Sequence, residues 1–311
     1  MFKTILFFLS LAITMQHTCF KAGMSQKAPS TNYTLLLGKC PESAQVQNIL
    51  SNRFLAAGYT SKNIRYTSSG DTLRVHLQSA ENNSTIENLL VKKGAIGFYE
   101  VYPANASFMR YITRADSLLR IDYQSKGKAT SHKPFSDLVV PAAGKSSYIA
   151  YIAQSDITQL WSLLNTVILA DIFPKDLHFA LSDHPVTTIN DQILYGVYAL
   201  KSTNDTTLSS TLNNDHIAKS YAIKTASKEA GINIELTPIG SQALATLSRK
   251  NINKPLAIAI DGTVITAPLV QEAIEGGKVQ ITGSYSTLET RIISSILTNA
   301  ILPCDLQLLT N

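Results

Sequence analysis

The sequence is poor in the features that mark membrane-spanning proteins, metalloenzymes and nucleic-acid-binding proteins. Its 311 residues include three cysteines, six histidines and one tryptophan, and 16% of the residues are charged. The basic residues are scattered and give a formal net charge of only +5, so the basic stripe typical of nucleic-acid binding is missing. With 45% hydrophobic residues, the chain has the composition of a globular protein with a sizeable core.

Motifs of the common catalytic sites are also missing. No histidine lies in a His-x-x-x-His or Glu-x-x-His pairing, which would place two metal ligands on one helix face. There is no Gly-x-Ser-x-Gly nucleophile elbow, and the run 275–278 lacks the spacing of a phosphate-binding loop. Asp261 is better explained as a residue of a hairpin turn, which prefers Asp for its side-chain bond to the backbone. We therefore expect no catalytic residue, no cofactor and no metal site.

The amino-terminal residues 1–23 have the pattern of an export signal. Lys3 precedes a largely apolar run of eleven residues, Ile5–Met15, which is shorter than the ~20 residues needed to span a bilayer. We expect export to the periplasm or cell envelope, a tether at residues 24–32, and no transmembrane span beyond the leader.

Cys19 follows the apolar run at the place where a bacterial lipoprotein carries its lipid. The three residues before it, however, are not the small apolar set that such signals usually have. Lipidation of Cys19, which would attach the protein to a membrane, and simple cleavage near Cys19 or Gly23 therefore both stay open.

The stretch Lys254–Gly283 carries the clearest structural pattern. Two apolar runs flank Asp261-Gly262, a pair that favours the φ > 0 geometry of a two-residue hairpin loop. A second turn at Gly276-Gly277 leads to a further strand that ends at Gly283. The stretch predicts a hairpin followed by a turn and a strand.

Several other elements follow from periodicity and capping. Strand, helix, strand, helix and strand alternate through residues 33–103, which is the order of a small α+β sandwich. Thr237 and the pair Ser286 and Glu289 predict the amino-terminal caps of two later helices. Residues 104–144 show only short elements, and residues 218–231 are ambiguous between a helix, favoured by propensity, and two strands around a turn.

Two cysteines remain once the leader is removed. Cys40 lies just past the first predicted strand and Cys304 at the start of the last. If these strands are antiparallel neighbours, the two sulfurs meet, and an oxidising compartment permits a disulfide. Two buried free thiols are the alternative.

The carboxy-terminal third resembles the first periplasmic domain of SecD and SecDF, accessory membrane subunits of the bacterial Sec translocon. Four segments in the family's order carry the resemblance: YGVYALK at 195–201, IELTPIGSQALATLSRKNINKPLAIAIDGTVITAP at 234–268, IEGGKVQITGSYS at 274–286 and ILPCDLQL at 301–308. It implies an α+β fold in which a ferredoxin-like base, built from both ends of the chain (33–103 and 231–311), carries an inserted α+β head (104–230). It also favours strands at 218–231 and a Cys40–Cys304 disulfide.

The resemblance further implies a protein-binding role in translocation, with an exported polypeptide or a Sec translocon subunit as partner. SecD proteins continue into membrane helices that use the proton gradient, and this sequence ends at Asn311 without them, so we expect no proton-driven motor in it. The alternative is an envelope-associated structural or interaction protein that has kept the fold without a role in secretion.

Overall fold

The computed structural model describes residues 29–40, 42–81, 83–127, 133–142, 146–204 and 207–309. The predicted leader, Cys19 and most of the tether lie outside these ranges. The strands are β1 (Ser30–Leu36), β2 (Ile64–Ser69), β3 (Thr72–Gln78), β4 (Ile96–Glu100), β5 (Val139–Pro141), β6 (Ala150–Ala153), β7 (Leu177–Leu181), β8 (Thr187–Ile189), β9 (Gln192–Lys201), β10 (Ile217–Lys224), β11 (Ala230–Leu236), β12 (Leu256–Ile260), β13 (Thr263–Thr266), β14 (Lys278–Thr282) and β15 (Gln307–Leu309). The helices are α1 (Ser43–Ala56), α2 (Asn83–Val91), α3 (Ala106–Ser125), α4 (Ile157–Leu164), α5 (Pro238–Lys250) and α6 (Thr287–Thr298).

Both ends of the chain build the first sheet. Its strand order is β15-β1-β3-β2, and every neighbouring pair is antiparallel. In β1 and β3 alternate side chains point into the core, among them Leu35, Leu73 and Val75, and helices α1 and α2 cover them. The α+β class and the ferredoxin-like base made from both ends of the chain are therefore confirmed.

A second core lies beside the base. It is enclosed by the sheets β13-β12-β4 and β10-β11-β14 together with α5. Helix α6 serves both cores, because Ile292 and Ile296 lie in the base core while Ile293 and Leu297 lie in the second. Residues four positions apart lie on the same face of a helix, so Ile292 and Ile296 form one apolar face of α6 and Ile293 and Leu297 form the neighbouring one. Helix α6 therefore joins the two units.

Residues 218–231 form strands rather than the helix that propensity favours. β10 and β11 pair antiparallel with Tyr221 opposite Asn233, and β11 buries Ile232 and Ile234 completely. Burial of these two side chains outweighs the helical preference of the alanine and lysine residues. The expected boundary between head and base, between residues 230 and 231, falls at the start of β11. It separates β11 from its paired strand β10, which precedes the boundary. The division of the chain at this point stays a prediction.

A third core forms from the middle of the chain. Its sheet has the order β5-β6-β9-β7, with β8 paired to β9, and α3 and α4 cover one face. The expectation of only short elements in residues 104–144 is wrong, since α3 has 20 residues. Its buried apolar side chains, Phe108, Ile112, Ala115 and Leu119, recur every three or four residues. Most of the other residues of α3 are polar, which makes this periodicity hard to recognise in the sequence. Among the described helices, none is both long enough and apolar enough to cross a bilayer.

Candidate functional site

A disulfide links the two ends of the base. Cys40 and Cys304 are bonded, with Cα atoms 5.2 Å apart and a sequence separation of 264, and this Cα distance is ordinary for a disulfide. Cys304 is buried in the base core and Cys40 packs against that core. The bond fastens the chain just after β1 to the chain just before β15.

The Asp261-Gly262 loop joins β12 to β13 and also reaches a distant part of the chain. Both residues have positive φ, 50° and 77°, as a two-residue hairpin requires. The Asp261 carboxylate accepts hydrogen bonds from the backbone N–H groups of Gly94 (3.0 Å) and Ala95 (2.8 Å). The Asp261 side chain therefore bonds to backbone groups outside the hairpin and holds the hairpin against the chain between α2 and β4.

Arg53 on α1 is fully buried, and sequence reasoning overlooked it. Its guanidinium donates to the carbonyl oxygens of Lys92 (2.6 Å), Lys93 (2.5 Å) and Ala300 (3.3 Å). Carbonyls just past a helix end lack partners within the helix and attract positive charge. Burial lowers the pKa of Arg53 to about 10, and the charge of Asp261 opposes that shift. The one sign of this contact in the sequence is that Arg53 occupies a position on the apolar face of α1.

The predicted caps lie at the starts of α5 and α6. Thr237 Oγ1 accepts a hydrogen bond from the Gly240 N–H (3.1 Å). Ser286 Oγ accepts one from the Glu289 N–H (3.1 Å), and Glu289 Oε2 accepts one from the Ser286 N–H (2.7 Å), which is a capping box. Burial alone would raise the pKa of Glu289, but the hydrogen bonds from Ser286 and the neighbouring His184 hold that pKa below its usual value.

Gly276 and Gly277 form the turn before β14 and have unlike surroundings. Gly277 has a φ of +60°, and an added Cβ would lie 1.8 Å from Ser241 Oγ and 2.7 Å from Ser241 Cβ. At Gly276 an added Cβ would meet nothing within 4 Å. Gly283, after β14, has an ordinary φ, and an added Cβ there would lie 3.2 Å from the Tyr285 ring.

Alanine substitutions at the two positions test this difference in surroundings. We expect Gly277→Ala to lower the free energy of unfolding by about 2–4 kcal/mol, because left-handed backbone strain adds to overpacking against Ser241. We expect Gly276→Ala to change it by less than about 0.5 kcal/mol. Urea unfolding of both variants gives the two values, and equal losses would contradict the tight approach of α5 to this turn.

An apolar groove of about 230 Å³ lies between α5, β12 and the segment that joins β13 to β14. The residues that line it are Phe98, Leu244, Leu256, Ile258, Pro268, Leu269, Val270, Gln271, Glu272, Ile274 and Val279. Leu269 stands at its rim with 48% of its surface exposed. The groove offers apolar contact area and, among these lining residues, only Gln271 and Glu272 are polar, so its chemistry suits binding rather than acid–base catalysis.

The carboxy-terminal part of the chain matches known proteins in sequence. A family model described as SecDF, P1 head subdomain, matches residues 195–304. The protein translocase subunit SecD of Calditerrivibrio nitroreducens is 29% identical over 148 residues, which cover 47% of this chain and 27% of that protein. The protein translocase subunit SecDF of Thermus thermophilus is 38% identical over 76 residues, which cover 24% of this chain and 10% of that protein. The chain thus spans little more than a quarter of the first relative and a tenth of the second.

Two solved structures can also be compared. The crystal structure of SecDF in its super-membrane-facing form superposes with a TM-score of 0.47 at 17% identity, covering 90% of this chain and 29% of that one. A structure of SecDF described as a membrane component that enhances protein export gives a TM-score of 0.44 at 16% identity, covering 90% of this chain and 99% of that one. The sequence matches confirm the resemblance that the sequence predicts: this chain is SecD-like, and its residues 195–304 are similar to the P1 head subdomain of SecDF.

Proposed function

We propose that the protein is an exported, SecD-like domain that binds an extended apolar segment of an unfolded polypeptide and so assists or modulates protein translocation. The observation that carries the proposal is the apolar groove beside the hairpin of β12 and β13. Apart from Phe98, the residues that line it fall within residues 195–304, where the chain is similar to the SecDF P1 head. The relatives that the chain matches in sequence are named as protein translocase subunits.

The shape of the groove favours a chain in extended form. Its volume of about 230 Å³ lies below the roughly 300–1,000 Å³ of ordinary small-molecule sites. Such a groove has room for a few side chains at a time. Leu269 at the rim and Ile252, which forms a β-bridge with Val270, are both partly exposed and extend the apolar contact beyond the cavity. An unfolded polypeptide exposes apolar side chains that could contact these residues, whereas a folded protein buries most of its apolar side chains.

The disulfide supports the proposed location. A bond between Cys40 and Cys304 persists in oxidising compartments such as the bacterial periplasm and is rare in the cytosol. We place the protein in the periplasm or cell envelope. In this proposal it works without a proton-driven motor of its own, and lipidation of Cys19 would decide whether it is attached to a membrane.

If the groove binds an unfolded polypeptide, substitution of Leu269 at its rim is expected to weaken that binding. The probe is a fluorescein-labelled 20-residue peptide in which leucine alternates with serine. We expect Leu269→Asp to weaken its binding by about ten-fold or more, because a charge replaces a leucine whose burial contributes about 1.5–3 kcal/mol. Fluorescence anisotropy measures the dissociation constants of the wild-type protein and the variant.

The matched control is Val167→Asp. Val167 is also an exposed apolar residue, with 90% of its surface accessible; it lies between α4 and β7 and is not one of the residues that line the groove. We expect this variant to bind the peptide as the wild-type protein does. Equal weakening by both variants, or none by Leu269→Asp, would contradict binding in the groove and would favour an envelope interaction protein with another partner.

A further inference from the structure

Strand β14 is an outer strand of the second core, and half of its backbone groups point away from its sheet. The Leu236 N–H on β11 donates to the Gly277 carbonyl oxygen just before β14 (2.8 Å), and β11 and β14 pair antiparallel in continuous register. Backbone groups alternate in direction along an antiparallel strand, so every second residue counted from Gly277 faces β11. The N–H and C=O groups of the residues between them, Lys278, Gln280 and Thr282, therefore point outward.

These outward groups have no hydrogen-bond partner among the described residues. The three residues that carry them, Lys278, Gln280 and Thr282, are themselves exposed. A row of unpaired N–H and C=O groups at the edge of a sheet is a template for pairing with a further strand. The edge of β14 thus offers donors and acceptors to an extended chain.

The other outer strands of the two sheets around the second core each have a partner along their edge. On β4 the Phe98 N–H donates to the Leu212 carbonyl oxygen (3.2 Å), and on β10 the Ser220 N–H donates to Thr298 Oγ1 (3.2 Å). The residue after β7 forms a bridge to β13. Within the part of the chain that the structure describes, β14 is the outer strand that lacks such a partner.

The apolar groove lies on the core side of β14. Val279 on β14 lines it together with Leu256 and Ile258 of β12. Opposite residues of paired strands place their side chains on the same face of a sheet. A strand added beside β14 would therefore place every second side chain next to Val279, at the groove, and the others next to Gln280, in solvent.

The charges at this edge fit an uncharged occupant. Lys278 at the start of β14 and Glu272 in the lining of the groove carry opposite signs. Before the turn that leads to β14, Arg249 and Glu275 form an exposed ion pair (2.6 Å). A strongly acidic or basic partner would gain little from such a balance. A segment of apolar residues with small polar residues between them matches both the charge and the groove.

We propose that β14 receives an extended segment of an unfolded polypeptide as an added strand, with the apolar side chains at every second position lying in the groove. This inference rests on the proposed function and states how the polypeptide is held. Backbone hydrogen bonds to β14 supply affinity that does not depend on sequence, and the groove selects the alternation of apolar side chains. Such binding suits a protein that accepts many different chains.

The leucine–serine peptide that tests the groove also tests strand addition when it is made in two N-methylated forms. One form carries the methyl groups on its serine residues and the other on its leucine residues, so each loses the N–H groups along one edge of the extended peptide. We expect one form to bind at least about ten-fold more weakly than the unmodified peptide, because its hydrogen bonds to β14 are lost, and the other to bind within about two-fold.

The weaker form also reports the direction of the added strand. In antiparallel pairing the residues that bond to Gln280 have their side chains in solvent, so the serine form is the weaker one. In parallel pairing the bonding groups belong to the residues on either side, so the leucine form is the weaker one. Fluorescence anisotropy measures all three dissociation constants, and equal effects of the two forms would overturn strand addition.

The same measurements separate this inference from the proposed function. An unmodified peptide that does not bind, or that binds Leu269→Asp as well as the wild-type protein, would overturn both. An unmodified peptide that needs Leu269 while its two N-methylated forms behave alike would overturn only the added strand.

Hydrogen exchange of the wild-type protein supplies a second measurement. We expect the amides of Gln280 and Thr282 to exchange more slowly when the unmodified peptide is added, and those of the exposed strand β2 to keep their rates. Sedimentation of the protein without peptide is expected to show a monomer. A dimer in which the Gln280 and Thr282 amides are already protected would overturn the proposal, because a second copy of the chain would then occupy this edge.

Discussion

Replacement of Arg53 by methionine is expected to lower the free energy of unfolding by about 3–5 kcal/mol, as the breaking of buried charged networks does. The variant keeps an unbranched apolar stem but removes the donors to the carbonyl oxygens of Lys92, Lys93 and Ala300. The Lys93 carbonyl oxygen keeps the Leu302 N–H as a donor (3.1 Å) and Ala300 is exposed, so the Lys92 carbonyl oxygen loses most, and an acceptor left without a partner away from water costs about 1–3 kcal/mol. The loss also removes the positive charge near Asp261, which holds the hairpin against Gly94 and Ala95.

Urea unfolding measures this loss as a lower transition midpoint at an unchanged slope. The control is Arg65→Met, because Arg65 lies on β2 and is exposed, so its replacement is expected to change the free energy of unfolding by less than about 0.5 kcal/mol. Arg53→Lys tests the geometry, since one ammonium group cannot reproduce the planar fork of a guanidinium. If Arg53→Met unfolds at the same urea concentration as the wild-type protein, the hydrogen bonds from Arg53 to these carbonyl oxygens do not contribute to stability.

Loss of the Cys40–Cys304 disulfide is expected to have a similar effect. The double variant Cys40→Ser with Cys304→Ser avoids a lone reactive thiol. We expect its free energy of unfolding to be about 2–5 kcal/mol lower than that of the oxidised protein, toward the upper end because the sequence separation of the cysteines is 264 and closing a long loop removes most entropy from the unfolded chain. Denaturant unfolding of the two proteins gives the difference.

Reduction and thiol counting supply the controls for the disulfide. A reductant is expected to bring the wild-type protein down to the stability of the double variant and to leave the double variant unchanged. The mature, unreduced protein in denaturant is expected to show no titratable thiol at Cys40 or Cys304. Two titratable thiols there would mean that the bond does not form in the cell.

The parts of the fold that can be predicted from the sequence rest on local patterns. The Asp261-Gly262 pair, the alternation in β3 and the Ser286–Glu289 spacing each act within a few residues, where turn, strand and cap preferences operate. The resemblance to SecD extends this to long range, since it implies that the first and last strands pair and that 218–231 forms strands.

The candidate site could be predicted only in part, because its contacts join distant residues. The groove is formed by Phe98, by residues of α5 and β12, and by the segment after β13, and no local pattern brings these together. The periodicity of apolar residues in α1 predicts the helix and its buried face. It does not indicate that the Arg53 guanidinium contacts the carbonyl oxygens after α2. The 20-residue helix α3 escapes notice because its apolar stripe is narrow and its other faces are polar.

The central claim is that the groove contacts an exported polypeptide, and photo-crosslinking in cells tests it most directly. A photoreactive amino acid placed at Leu269, and for comparison at Val167, is illuminated while a secretory precursor is stalled during export. The account predicts an adduct with the precursor from position 269 and none from position 167. An adduct from position 269 only with an envelope protein unrelated to export, or equal precursor adducts from both positions, would contradict it.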